Sequence, residues 1–427
     1  LGLVARARPG LARIGFAAAG ILALGAGLRD PLAEPITTLL VAASATAIAV
    51  GVLSWLLRVA VERDAPPVAE MPAWGRRRFI GASIAVVGLA AGSGVVGRAL
   101  LDRGRLATPQ SGALPQPEAT ASPPPAGASF DIDGISPLVT PNRDFYRIDT
   151  ALLVPRPDID TWRLRVTGMV RAPFELTYDE LVAMPLVEEY VTIACVSNEV
   201  GGKLVGNALW TGVRLRELLD RAGISPDATQ IVGRAVDGFT VGFPTAHALA
   251  MSRESLVAVA MNGEPLPPNH GYPARLIVPG LFGYVSATKW LTEIELTTLE
   301  AFDAYWIPLG WAKQGPILTQ SRIDVPRSGA RLTAGSTPVA GVAWARDRGI
   351  SAVEVQVDEE GWLPAELSAP ISDATWVQFV HVWDATPGDH IVRVRATDGG
   401  GDVQTDMRTA PPPDGARGHH TIRVTVS

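Results

Sequence analysis

Two hydrophobic patterns divide the chain. In the N-terminal part, Ile14–Leu28, Ile36–Leu57 and Phe79–Gly97 are long apolar stretches without a charge, and Ala99–Leu101 extends the last beyond Arg98. Such lengths predict three transmembrane helices, with a buried or interfacial helix competing for the short first stretch. From Ser129 the pattern is that of a globular protein. Trp162–Gly168 alternates like a strand, and Leu215–Ala222 has the spacing of an amphipathic helix, with Gly223 as its stop. Leu276–Pro279 and Ile294–Leu299 read as further strands. Beyond about Arg327 the texture changes again. Val353–Val357, His390–Arg395 and Thr421–Val426 alternate with period two between turn residues, which predicts an immunoglobulin-like β-sandwich without an inter-sheet disulfide.

Composition sharpens this division. The 427 residues suit two or three domains. Apolar content is 47% and mean hydropathy +0.19, with the excess in the N-terminal part. The net charge of −6 comes with no long basic run, which gives nucleic-acid binding no support. Arginines cluster before the first apolar stretch (Arg6, Arg8, Arg13) and between the second and third (Arg58, Arg63, Arg76, Arg77, Arg78). Positive charge stays cytoplasmic, so three spans would place everything after Leu101 on the extracytoplasmic side of the cell membrane. Arg76-Arg77-Arg78-Phe79-Ile80 also resembles a twin-arginine export signal, against the plainer reading of an arginine anchor. No cleavage site stands out, so the segment is expected to remain as an anchor. Ala107–Ala128 is rich in proline and small residues, the composition of an extended linker. The chain starts at Leu1 rather than Met, as a fragment would. The expected division is a membrane anchor over 1–106, a linker over 107–128, a catalytic domain over 129–315 and a β-sandwich over 316–427.

Cys195 is the sole cysteine, at the end of a β-branched run and before a loop rich in glycine and asparagine. It can form no internal disulfide and is either buried filler or chemistry. Other segments decide between these. Gly206–Val213, Met261-Asn262-Gly263, Pro265-Leu266, His270-Gly271-Tyr272-Pro273-Ala274-Arg275, Val278-Pro279-Gly280 and Lys289-Trp290-Leu291 follow in order. Together with Cys195 they resemble the sulfite oxidase family of molybdopterin enzymes, over about residues 130–427. The resemblance implies an α+β molybdopterin-binding domain and a C-terminal immunoglobulin-like sandwich of the dimerising type, preceded here by transmembrane helices. A homodimer follows from the resemblance, while the proline-rich linker and membrane anchor also permit a monomer.

It also implies site roles. Cys195 matches the thiolate that binds molybdenum, a soft ligand beside the sulfurs of the pterin. His270, Arg275, Asp237 and the segment Ser286, Ala287, Thr288, Lys289 match cofactor contacts, as do Asn142, Phe145, Tyr146 and Arg147 in the N-terminal loop. Arg147 also matches an arginine lining the sulfite pocket. Taken singly, each has a plainer reading: a turn histidine, solvated charges, turn residues, core aromatics. The other histidines show no metal-ligand spacing.

The family reaction is oxygen-atom transfer, with electrons passing to or from a redox partner. Where animal and plant relatives carry two arginines after the cysteine, this chain has Val196-Ser197-Asn198-Glu199, and Trp311 stands where a tyrosine is expected. Sulfite-oxidase-like oxygen-atom transfer is the first reading, but sulfite itself is weakly supported as substrate, and reduction of an S-oxide or N-oxide with the same cofactor is the alternative. No haem-attachment motif and no histidine in the apolar stretches is present. The electron carrier would be a separate cytochrome c or haem membrane subunit. A membrane-tethered binding module with an inert cysteine is the non-enzymatic alternative.

Overall fold

The computed structural model describes residues 9–28, 35–61, 92, 114–151, 153–250 and 254–427. They fall into two units, Leu1–Ala113 and Leu114–Ser427.

In the first unit, α1 (Pro9–Gly27) and α2 (Pro35–Val61) both open on proline, whose fixed φ suits a first helical turn. Gly20 lies against Thr46 and Gly27 against Thr38, the pairing order of an antiparallel hairpin. Both helices are long and apolar enough to cross a membrane, with 18-residue windows of hydropathy 1.5 and 1.8. Ile21, Leu22, Ile36, Leu40 and Ile48 are exposed. α1 begins before the uncharged stretch and takes in Arg13. The third apolar stretch and the arginine motif lie outside the described residues, Gly92 excepted.

The second unit is built on four sheets. The hairpin of β3 (Leu186–Ala194) and β4 (Val205–Arg214) pairs Leu186 with Val213 through Ala194 with Val205, and so brings Cys195 out at its tip. β7 (Leu256–Met261) pairs with β4, and β8 (Glu264–Pro265) and β9 (Arg275–Ile277) with β7. β7 is buried at every position, which is why no alternation marks it in the sequence.

A second sheet has the order β2-β1-β10-β5-β6. It uses β1 (Leu164–Gly168), β2 (Phe174–Leu176), β5 (Gln230–Ala235), β6 (Thr240–Pro244) and β10 (Leu291–Thr297), with β1 and β10 parallel. α3 (Tyr178–Val182) starts on a Thr177–Glu180 capping box. α4 (Leu215–Ala222) buries Leu215, Leu218, Leu219 and Ala222 and ends on Gly223 at φ 64°, as its periodicity predicts. The short helices α5 (Thr245–Ala248) and α6 (Gly283–Ser286) follow β6 and precede β10.

The C-terminal part holds two more sheets. One has the order β11-β13-β17-β16: β11 (Gln320–Val325), β13 (Gly335–Trp344), β16 (Glu366–Leu367) and β17 (Val377–Ala385). The other has the order β12-β19-β18-β14-β15: β12 (Arg331–Leu332), β14 (Ile350–Val357), β15 (Leu363–Pro364), β18 (Gly388–Asp398) and β19 (His420–Val426). Val339 and Phe379 from the first share one core with Val355, Val394 and Val424 from the second. The alternating burial of β14 and β19 is that read from the sequence.

This sheet-rich part is bonded to the site-bearing sheets. Thr192 on β3 donates its N–H to Ala374 O and accepts Trp376 N–H on its hydroxyl. Val342, Trp344 and Trp376 enter the same core as Leu164, Val213 and Leu276. Leu114–Ala128 departs from the expected free linker. Glu118 N–H bonds Leu186 O, Ala121 N–H bonds Glu188, and Ala128 is buried. Extended proline-rich chain leaves its remaining backbone groups free to pair with an edge strand, and β3 offers one.

Candidate active site

A cavity opens where the tip of the β3–β4 hairpin, the turn before β9, α6 and the segment after Phe145 converge. Cys195, Tyr146, Asp237, His270, Arg275, Ala287 and Lys289 line it. The residues singled out in five separate parts of the sequence therefore meet in one place.

Cys195 follows the last residue of β3. Its N–H donates to Leu204 O at 2.9 Å and its carbonyl accepts Asn198 N–H at 3.0 Å. Asn198 Oδ1 in turn accepts Leu204 N–H at 2.8 Å, so the loop after the thiol is closed by its own side chain. The thiol is 8% exposed. Burial pushes its pKa up, opposed by hydrogen bonds from the backbone and side chain of Ser197. A thiol held this way is not a solvent nucleophile, but it has donors ready to support its thiolate.

The basic groups are packed by aromatic rings. Arg275, at the start of β9, is buried and stacks 5.1 Å over Trp210. Its Nη1 donates to His270 O at 3.1 Å, and its Nε has no partner. Among the described residues no carboxylate pairs with it. Burial pulls its pKa down to about 10, against the favourable influence of Tyr146. His270 Nε2 bonds Asn142 O at 2.7 Å, which fixes that nitrogen as the donor and leaves Nδ1 as an acceptor. Burial, and then Arg275, lower the pKa of His270 to about 4, so it is neutral at pH 7. Phe145 stacks on Tyr146 with centroids 5.4 Å apart and meets His270 and Trp210 edge-on. Gly206 leaves room for the Phe145 ring, which a Cβ there would strike at 2.8 Å.

Lys289 donates from Nζ to Ile148 O at 3.1 Å and forms an ion pair with Asp149. Burial, and then Arg147, lower its pKa to about 7.

Not every expected residue reaches the cavity. Arg147 is 42% exposed on its side chain and paired to Asp149, so its charge is spent there and it does not line the wall. Asn142 bonds Met261 O and the Asn262 amide and acts behind His270. Phe145 packs behind Tyr146. Ser286 donates to the carbonyls of Leu281 and Phe282. Thr288 is buried with an unpartnered hydroxyl, and neither it nor Ser286 lines the cavity.

Conversely, Ile148, Asp149, Thr150, Phe239, Tyr284 and Trp306 line it without having been singled out, beside Ser197, Trp290 and Trp311, which the sequence motifs contain without a site role. Ser197 and Phe239 lie within two residues of Cys195 and Asp237, a signal present but not used. Asp149 and Trp306 carry no local signal in a single sequence. The aromatic side of the cavity is continuous: Tyr284 meets Trp311 at 5.9 Å, Trp311 meets Trp306 at 6.3 Å, and Tyr305 bridges Trp306 to Phe239.

No cluster of three or more His, Cys, Asp or Glu suited to a metal occurs among the described residues. A metal here would take one protein sulfur and bring its other donors with it. A buried guanidinium with an open Nε and the Lys289 ammonium on the same wall suit an anionic group on that same molecule. The residues thus fit a metal complex carrying an anionic tail.

Residues 151–306 match the family described as oxidoreductase molybdopterin binding domain. The chain is 35% identical over 158 residues to the uncharacterized oxidoreductase YuiH of Bacillus subtilis, covering 37% of this chain and 76% of that protein. It is 36% identical over 178 residues to an NADH nitrate reductase of Oryza sativa, covering 36% of this chain and 19% of that protein. It is 28% identical over 270 residues to human mitochondrial sulfite oxidase, 54% of this chain and 49% of that enzyme. The chain thus spans less than a fifth of the nitrate reductase and about half of the sulfite oxidase. Among solved structures, the sulfane dehydrogenase SoxCD of Paracoccus pantotrophus matches with a TM-score of 0.58 at 22% identity, over 67% of this chain and 81% of that one. That likeness shows a shared fold.

Proposed function

The chain belongs to the sulfite oxidase family of molybdopterin oxidoreductases, and from that premise we propose that it carries out oxygen-atom transfer at the Cys195 cavity, exchanging electrons with a separate carrier. It is an enzyme, and its cofactor is molybdenum-molybdopterin. When bound, that cofactor supplies two-electron redox chemistry and the transferable oxygen.

The observation that carries the site assignment is Arg275: a buried guanidinium with an unpartnered Nε, in the cavity that Cys195 also lines. We assign Cys195 as the metal ligand. Ligation requires loss of its proton, and the Ser197 donors favour the anion that remains. Arg275 and Lys289 hold the anionic end of the cofactor. His270 stays neutral, held by Asn142, and offers Nδ1 as an acceptor to the cofactor's polar edge. Tyr146 and Asp237 complete the polar wall, while Asn142, Phe145, Ser286 and Thr288 support it from behind.

A substrate other than sulfite is favoured by the cavity's charge. A dianion needs compensating cations at the reacting centre. Arg147 is engaged by Asp149, Arg275 and Lys289 are assigned to the cofactor, and position 199 carries Glu199, outside the cavity lining, in place of an arginine. Phe239, Tyr284, Trp306 and Trp311 form an apolar wall suited to an organic S-oxide or N-oxide. The purified protein is expected to reduce organic sulfoxides with a chemical electron donor at a higher kcat/KM than it oxidises sulfite with a chemical electron acceptor. The opposite ranking would overturn this substrate class.

The apolar α1 and α2 are proposed to anchor the protein in the cell membrane with the catalytic unit outside. The C-terminal sheets are proposed to form an immunoglobulin-like sandwich that pairs two copies, and the electron carrier is proposed to be a cytochrome c or a haem membrane subunit.

A further inference from the structure

The loop Cys195–Leu204 is closed on itself near the thiol, but its return arm is held from elsewhere. Arg322, on β11 of the C-terminal sheets, is buried and donates from Nη1 to Gly202 O at 2.8 Å. Its Nη2 donates to Ser136 Oγ at 2.7 Å and its Nε to Asp324 Oδ1 at 2.7 Å. Asp324 Oδ2 accepts Ser136 N–H at 3.0 Å, so the guanidinium is locked on every side.

One residue before Gly202, Gly201 has φ 79° and lies flat against the His420 ring, where a Cβ would collide. His420 is fixed as well, since its Nδ1 accepts Ile323 N–H at 2.9 Å. Gly202 itself has no room for a Cβ beside Asn198 Oδ1 and Glu199 O. The neighbouring Leu204 supplies the carbonyl that Cys195 N–H bonds and the N–H that Asn198 accepts. A short path of bonds therefore runs from β11 to the cysteine backbone.

We propose that Arg322 is a positioning residue for Cys195, through which the C-terminal sheets hold the thiol loop in register with the cavity. A guanidinium with three fixed acceptors transmits a position, whereas an apolar contact would let the glycine arm slide. The use of that position for metal binding rests on the assignment of Cys195 as ligand. The position itself does not, and it can be read without the cofactor.

Cys195 is the only thiol in the chain, so its alkylation rate in the native, cofactor-free full-length protein reports this loop alone. The double variant Arg322→Gln with Asp324→Asn removes the grip without leaving a buried unpaired charge. It is expected to raise the alkylation rate about tenfold, the factor when one charged hydrogen bond no longer opposes local opening. Arg322→Lys, which keeps the charge against Asp324 but cannot reach all three acceptors, should fall between. Val424→Ala, which opens a cavity in the core between the C-terminal sheets, controls for general loosening and should leave the rate unchanged. An unchanged rate in the double variant, or an equal rise in Val424→Ala at matched melting temperature, would overturn the proposal.

Discussion

Arg275 concentrates the physical argument for the site. A buried cation whose Nε meets no acceptor is costly unless something arrives to pair it. Arg275→Gln is expected to weaken cofactor retention by about 1.5–3 kcal/mol, the worth of hydrogen bonds to a charged group. Pterin released from the purified variant, measured by fluorescence, should fall well below wild type at equal protein. Residues of this kind were legible through the resemblance carried by the joint pattern of motifs, since Cys195, His270 and Arg275 each have a plainer reading taken singly. Arg147 was legible as a residue but not in its orientation, since its pairing with Asp149 across one intervening residue is decided by the burial of that carboxylate. The aromatic wall was mostly illegible. Trp306 and Phe239 reach the cavity from separate loops, and nothing local in a sequence marks two loops as neighbours.

Among the elements, the β3–β4 hairpin and the β1–β10 pair place the site, and each depends on close backbone approach. Gly168 ends β1 at φ 82° with the Leu296 carbonyl where a Cβ would stand. Gly168→Ala combines a left-handed backbone with overpacking and is expected to cost roughly 2–4 kcal/mol. Thermal melting would show this as a lowered midpoint, and an unchanged midpoint would mean that β1 is not fixed to β10 as described. Strands with one wet face, such as β14 and β19, were legible from alternation. β7, buried throughout, and short pieces such as β8 were not, because a continuous apolar run or a two-residue bridge has no period to read. The proline-rich segment misled for a physical reason: composition reports that it cannot fold alone, not that an edge strand will bind it.

For the catalytic unit as a whole, stability should depend on acid in a definite window. His270 and His420 are both held neutral by burial, each with its pKa lowered to about 4 from 6.5. A depressed folded pKa means that the unfolded chain binds the proton more readily, so the stabilising contribution is full above pH 6.5. It is lost as pH falls through 4, on the order of 3 kcal/mol for each histidine. Denaturant midpoints of the cofactor-free protein should drop across this range, and His420→Asn should flatten the slope. Equal slopes in the two proteins would contradict the assignment for His420. The account's central claim, that Cys195 is the metal's one protein ligand, is tested most directly by molybdenum-edge X-ray absorption of the full-length protein, purified with its cofactor, beside Cys195→Ser. The prediction is that the variant keeps its molybdenum through Arg275 and Lys289 and loses one sulfur from the metal's coordination shell. A sulfur shell identical in the two proteins would contradict it.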